Sequence, residues 1–115
     1  MYLINRAVAI VRIKQPCMDW INSTEGPGKL TLKSVNSENH VYLLPEHDTE
    51  NELELIIQDL YKEIFELELA GFCTDQSQWP KISYQKFLDW FDIEVHSMVF
   101  DPYDEKIEKE EYWGG

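Results

Sequence analysis

The chain has 115 residues, 43% of them hydrophobic and 13% aromatic, which fills one core and excludes a disordered body or two domains of ordinary size. Its formal charge of −12 repels phosphate backbones and anionic lipid, so direct nucleic-acid or membrane binding is disfavoured. No window approaches the roughly 18–20 consecutive apolar residues that span a bilayer.

The acidity is uneven. Residues 1–45 hold five basic and three acidic side chains, and residues 46–115 hold five and nineteen. The opening residues lack the basic-then-apolar order of a signal peptide, which leads to an expected cytoplasmic location. Cys17 and Cys73 are too far apart for a CxxC or zinc-finger spacing, so two buried thiols are expected rather than a disulfide framework.

Residues 7–13 form a short β-branched run that reads as a strand. Alternation puts Ala7, Ala9, Val11 and Ile13 on one face, and Arg6, Val8, Ile10 and Arg12 on the other. Pro16 suits the first turn of a helix, in which Cys17, Met18, Trp20 and Ile21 give one apolar side. A loop over 22–28 ends it. Residues 29–40 fit a short helix or a poor strand equally. Val41, Tyr42, Leu43 and Leu44 form a second strand, closed by Pro45.

The longest element follows. Thr49 with Glu52 is a capping-box signature, and Leu53, Ile56, Ile57, Leu60, Ile64 and Leu67 repeat at helical spacing. This predicts about five to six turns, with Glu54, Asp59, Glu63, Glu66 and Glu68 on the surface. Gly71 is expected to supply a left-handed stop. Ser83 is placed to cap a further helix, with Tyr84, Phe87, Leu88 and Phe91 on one face. That helix runs almost directly into a last strand over 93–100. Alternation there groups Glu94, His96, Met98 and Phe100, with Asp92 and Asp101 at the ends. The expected fold is α+β: a two-layer sandwich, a three- or four-stranded sheet with helices packed mainly on one face. Residues 1–101 make the single domain, and 102–115 an acidic, mobile tail.

Signatures of familiar chemistry are missing. The five glycines form no GxGxxG or P-loop, and no GxSxG elbow is present. Glu46-His47-Asp48 has neither HExxH nor His-x-His spacing and reads as a solvated loop before the helix cap. Neither a metal nor a cofactor is therefore expected. The helix ending before Cys73 presents carbonyls, the wrong pole for lowering a thiol pKa. His96 is the histidine with neighbours suited to chemistry, since a nearby carboxylate orients and charges an imidazole.

Residues 6–12 followed by Gln15-Pro16, then residues 41–46, then residues 90–101 resemble a family of small acidic uncharacterised bacterial proteins. The resemblance implies a bacterial cytosolic protein and brings no catalytic residue, cofactor or partner.

The leading expectation is an acidic interaction module acting through protein contacts, with a foreign protein or a second copy as partner. Arg6, Arg12, Glu94, His96 and Met98 would lie on the sheet, with Glu63 and Glu66 on a second, helical surface. The alternative is a small hydrolase or metal-dependent enzyme centred on His96 with Glu94, Asp92 or Asp101.

Overall fold

A computed structural model describes residues 1–24 and 28–112. Its elements are β1 (Tyr2–Leu3), β2 (Ala7–Ile13), α1 (Gln15–Ser23), α2 (Leu32–Val35), β3 (Val41–Leu44), α3 (Glu50–Ala70), a 3₁₀ turn (Gln76–Gln78), α4 (Tyr84–Trp90), β4 (Phe91–His96) and β5 (Phe100–Asp101). The fold is mixed α and β, with helices contacting one another and the sheet. The main sheet is antiparallel in the order β3-β2-β4, and β1 pairs with β5 in a two-stranded ribbon.

The alternation in β2 decides which side is covered. Ala7, Ala9, Val11 and Ile13 are all buried, whereas Val8, Ile10 and Arg12 are only half-buried. Against the buried side pack Cys17, Met18 and Ile21 of α1, Ile57, Ile64, Phe65 and Leu69 of α3, and Phe87 of α4. Phe65 is fully buried at the centre, with ring centroids 5.9 Å from Phe87, 5.6 Å from Trp90 and 5.3 Å from Phe91. The helices thus form one layer behind the sheet.

Capping sets the helix boundaries. Thr49 accepts from the Glu52 N–H at 3.1 Å, and the Glu52 carboxylate reaches back to the Asp48 N–H at 2.8 Å. Acids at Glu50 and Glu52 face the positive end of α3. Gly71 departs from the expected left-handed stop. It is right-handed at φ −64°, and α3 closes by N–H groups of Phe72 and Cys73 bonding to the Leu69 carbonyl. Ser83 accepts from the Lys86 N–H at 3.2 Å and starts α4. Phe87 is buried there as expected, while Leu88 is exposed and Trp90 turns to the core instead. The ambiguous 29–40 segment contains a single helical turn, α2, held by a reciprocal Thr31–Ser34 box. Directly after it, Asn36 bonds both the N–H (2.8 Å) and the C=O (3.0 Å) of Ile13. Its amide imitates a neighbouring strand opposite Ile13, beyond the point where β3 begins at Val41.

The expected continuous strand over 93–100 is broken at Ser97. Val8 pairs with His96, and the Ile4 N–H bonds to the Val99 carbonyl. Three residues on the first strand therefore oppose two on the second, which is a β-bulge. The β1–β5 ribbon continues the same pairing beyond it. Tyr2 and Leu3 point to opposite sides of this ribbon and are both exposed, so the ribbon is uncovered on both sides. Residues 102–112 have no regular structure and are exposed.

Candidate interaction surface

The side of the sheet away from the helices is open. Antiparallel register puts Val8 between Leu43 and His96, Ile10 between Val41 and Glu94, and Arg12 opposite Asp92. Half of the face is apolar: Val8, Ile10, Val41 and Leu43, the last two 57% and 48% exposed. Large aliphatic residues on a solvated strand lack the usual polar alternation of an open antiparallel sheet.

The other half is a charged cluster. One Glu94 oxygen lies 3.6 Å from Arg12 Nη2, and the other lies 2.8 Å from His96 Nε2. The His96 hydrogen bond first, and the Arg12 guanidinium second, hold the Glu94 carboxyl below its usual range. Arg12 Nη1 is shielded from solvent and has no hydrogen-bond partner among the described residues. The face is close to charge balance, unlike the rest of the molecule.

Of the residues expected to act together, Arg12, Glu94 and His96 are brought into one cluster. Arg6 and Met98 are not. The bulge turns Arg6 away from Val8, and it borders a groove with Leu43, Glu46, Asp59 and Leu60. Met98, past the break at Ser97, borders a separate hollow with Leu3, Ala7, His47 and Asp48. Glu63 and Glu66 belong to α3, in the opposite layer.

The His96–Glu94 pair makes a weak catalytic centre. Its side chains are 58% and 47% exposed, and a general base needs a substrate held beside it with water displaced. The grooves beside Arg6 and Met98 are lined by other residues. Among the described residues no three of His, Cys, Asp and Glu converge as a metal site requires. No helix among them is long and apolar enough to cross a membrane.

A second polar cluster escapes sequence reasoning. Glu68, expected on the surface, is 5% exposed, and its Oε2 lies 2.5 Å from His40 Nδ1. Burial pushes the Glu68 carboxyl above its usual range, and the charge and hydrogen bond of His40 partly offset that. Burial and then the Glu68 charge push the Cys17 thiol up to about 12. The same two causes raise the Tyr42 phenol well above its usual range, and its hydroxyl is buried without a hydrogen-bond partner among the described residues. Position was the available signal. Glu68 follows Ile64 by four residues and Phe65 by three, so it sits on the buried stripe of α3. The adjoining void of ≈ 50 Å³ is far below the few hundred Å³ of a ligand pocket. The pair is therefore a structural feature of the core edge.

Cys17 is buried, Cys73 is half-buried, and both are free thiols. The molecule belongs to the class of open-faced two-layer α/β sandwiches, with an antiparallel sheet covered by helices on one side. Comparison of the chain with protein-family models, with curated proteins and with solved structures finds no match.

Proposed function

We propose that this protein is a non-enzymatic interaction module acting through protein contacts, with the open face of the β3-β2-β4 sheet as its contact surface. The carrying observation is that uncovered face, where Val8, Ile10, Val41 and Leu43 adjoin the Arg12–Glu94–His96 cluster. A mixed apolar and charged patch is the composition of a contact surface rather than of open water. A second copy is its first occupant. The charges of the face largely balance one another, so two copies can meet there without opposing their net charges of −12 at close range.

Area adds a condition. Three strands spaced about 4.8 Å apart and about six residues long give a face of roughly 14 by 20 Å. That falls well short of the about 800 Å² per partner of a standard interface. The exposed β1–β5 ribbon, with Tyr2, Leu3 and Phe100, must share the contact. Sedimentation at rising concentration should show a reversible dimer that Ile10→Asp dissociates. A monomer throughout the range would overturn self-association.

The enzyme reading has the 2.8 Å His96–Glu94 contact in its favour and the exposure of both groups against it. It requires a hydrolytic activity that His96→Ala removes without unfolding the protein. A cytoplasmic location and a bacterial source remain part of the proposal. Two unpaired cysteines support the reducing compartment.

A further inference from the structure

The two edges of the main sheet differ. β4 carries Asp92, Glu94 and His96 at alternate positions, and charges of this kind protect an exposed edge from pairing with other chains. β3 reads Val-Tyr-Leu-Leu and has no charge. Its inner edge bonds to β2, and among the described residues no strand pairs with its outer edge. The Val11 N–H bonds to the His40 carbonyl at 3.3 Å. Alternation along the ladder then turns the backbone N–H and C=O groups of Val41 and Leu43 outward.

Beside that edge lies a groove. Two adjoining concavities of ≈ 300 and ≈ 530 Å³ share Leu43 and Leu60. Their α3 wall runs from Ile56 through Leu60 and Ile64 to Leu67, a stretch of about 16 Å at helical rise. The four residues of β3 extend about 13 Å. Strand edge and helix wall therefore match in length. The rim is acidic: Glu63, Asp59 and Glu46 border it, with Arg6 as the single basic lining residue among those described.

The chain's own tail passes the groove without filling it. Tyr112 lines it beside Tyr42 and Leu43, yet the tail forms no strand with β3. Tyr112 stays 83% exposed at the groove's rim, so the apolar interior between Leu43, Leu60, Ile64 and Leu67 is left uncovered by it. The segment before Tyr112 carries Glu105, Glu108, Glu110 and Glu111 against Lys106 and Lys109, a net negative charge that an acidic rim disfavours. A second copy is disfavoured at this edge for the same reason, because it would bring its own Glu63 and Asp59 against these.

We propose that the outer edge of β3 and the adjoining α3 groove form a strand-addition site for a lysine- or arginine-rich extended segment of a partner protein, anchored by an aromatic side chain. Main-chain bonds to Val41 and Leu43 supply affinity, and alternate side chains supply selectivity. The anchor would rest on Tyr42, Leu43, Leu60 and Ile64, which line the groove. This surface meets the open face at Leu43, whereas Ile10 belongs to the face and Glu63 to the groove.

The probe is a fluorescein-labelled peptide alternating lysine with valine, phenylalanine and valine, titrated with the full chain and read by fluorescence anisotropy at low salt. Saturable binding is expected. Glu63→Lys should weaken it about tenfold, as loss and reversal of a close charge pair does. Tyr112→Ala, at an 83% exposed rim position, should change it less than about twofold. Backbone N-methylation of the residues facing β3 should abolish binding, and Ile10→Asp should leave it unchanged. The proposal is overturned if the parent peptide does not bind, if the N-methylated peptide binds as well, or if a glutamate version binds equally. It is also overturned if Leu43→Lys, but not Ile10→Asp, abolishes dimer formation, because that assigns the edge to a second copy. Glu63 is exposed, so its variant is expected to keep the parent's thermal midpoint, which verifies the fold.

Discussion

Replacing His40 by alanine isolates the buried carboxylate. Glu68 is 5% exposed and makes its ionic contact with His40, whose side chain is 52% exposed. Removing one partner of a fully buried pair costs about 3–5 kcal/mol because a charge is stranded. Here the histidine side is wet, and its removal enlarges a void that already adjoins the carboxylate. Water can partly replace the lost partner, so a loss of about 1–2 kcal/mol is expected at neutral pH. Its pH dependence carries the sign of the shift. Burial raises the Glu68 carboxyl, so the folded protein keeps this proton to higher pH than the unfolded chain does. Between those two pKa values the folded state binds more protons, and the contribution of Glu68 to stability falls as pH rises. His40 opposes that rise, and removing it lifts the carboxyl further and widens the window upward. His40→Ala should therefore be most destabilising at and above neutral pH and should recover on acidification through the carboxylate range. Glu68→Gln should be the milder substitution and should flatten the dependence. Urea denaturation of both variants between pH 4.5 and 8 decides the matter. A His40→Ala penalty that does not change with pH, or a Glu68→Gln penalty that exceeds it, would refute the reasoning.

Two further substitutions probe the packing and backbone arguments. Phe65→Ala removes the fully buried ring that meets Phe87, Trp90 and Phe91, and should cost about 3–5 kcal/mol in urea denaturation. Asn36→Ala takes away the amide bonded to both backbone groups of Ile13. It should cost about 1–3 kcal/mol and speed amide exchange at Ile13 specifically; uniform acceleration across β2 would refute the strand-mimic account.

Elements whose pattern matches a single period were readable in the sequence. The strict alternation in β2 shows which side faces the helices, and the Thr49–Glu52 cap with its apolar stripe marks α3. What escaped depends on single residues or on pairing between distant segments. The two-residue strands β1 and β5 are too short to show a period, and the bulge between Ile4 and Val8 appears only once β4 is in register. That bulge separates Arg6 and Met98 from the face they share by simple alternation. Glu68 was missed because a carboxylate on an apolar stripe reads as surface until His40, twenty-eight residues earlier, is seen beside it. The α2 turn is stabilised by its own Thr31–Ser34 box, which outweighs a sparse apolar pattern.

Strand order was the decisive unknown, because it determines which strand is left unpaired. With β2 in the centre, the Arg12–Glu94–His96 cluster and the apolar residues of β3 fall on opposite halves of one face. The charged residues that protect β4 as an edge are the same residues that form the polar half of that face. β3 receives no such protection, since Val41 and Leu43 contribute only aliphatic surface to the face and bare backbone to the edge. Its acidic neighbour Glu63 lies across the groove on α3, where it leaves the strand itself unblocked. The face and the edge thus share Leu43 but differ in charge, one nearly balanced and the other acidic. Substitutions at Ile10 and Glu63 should therefore separate the two proposed contacts within one small chain.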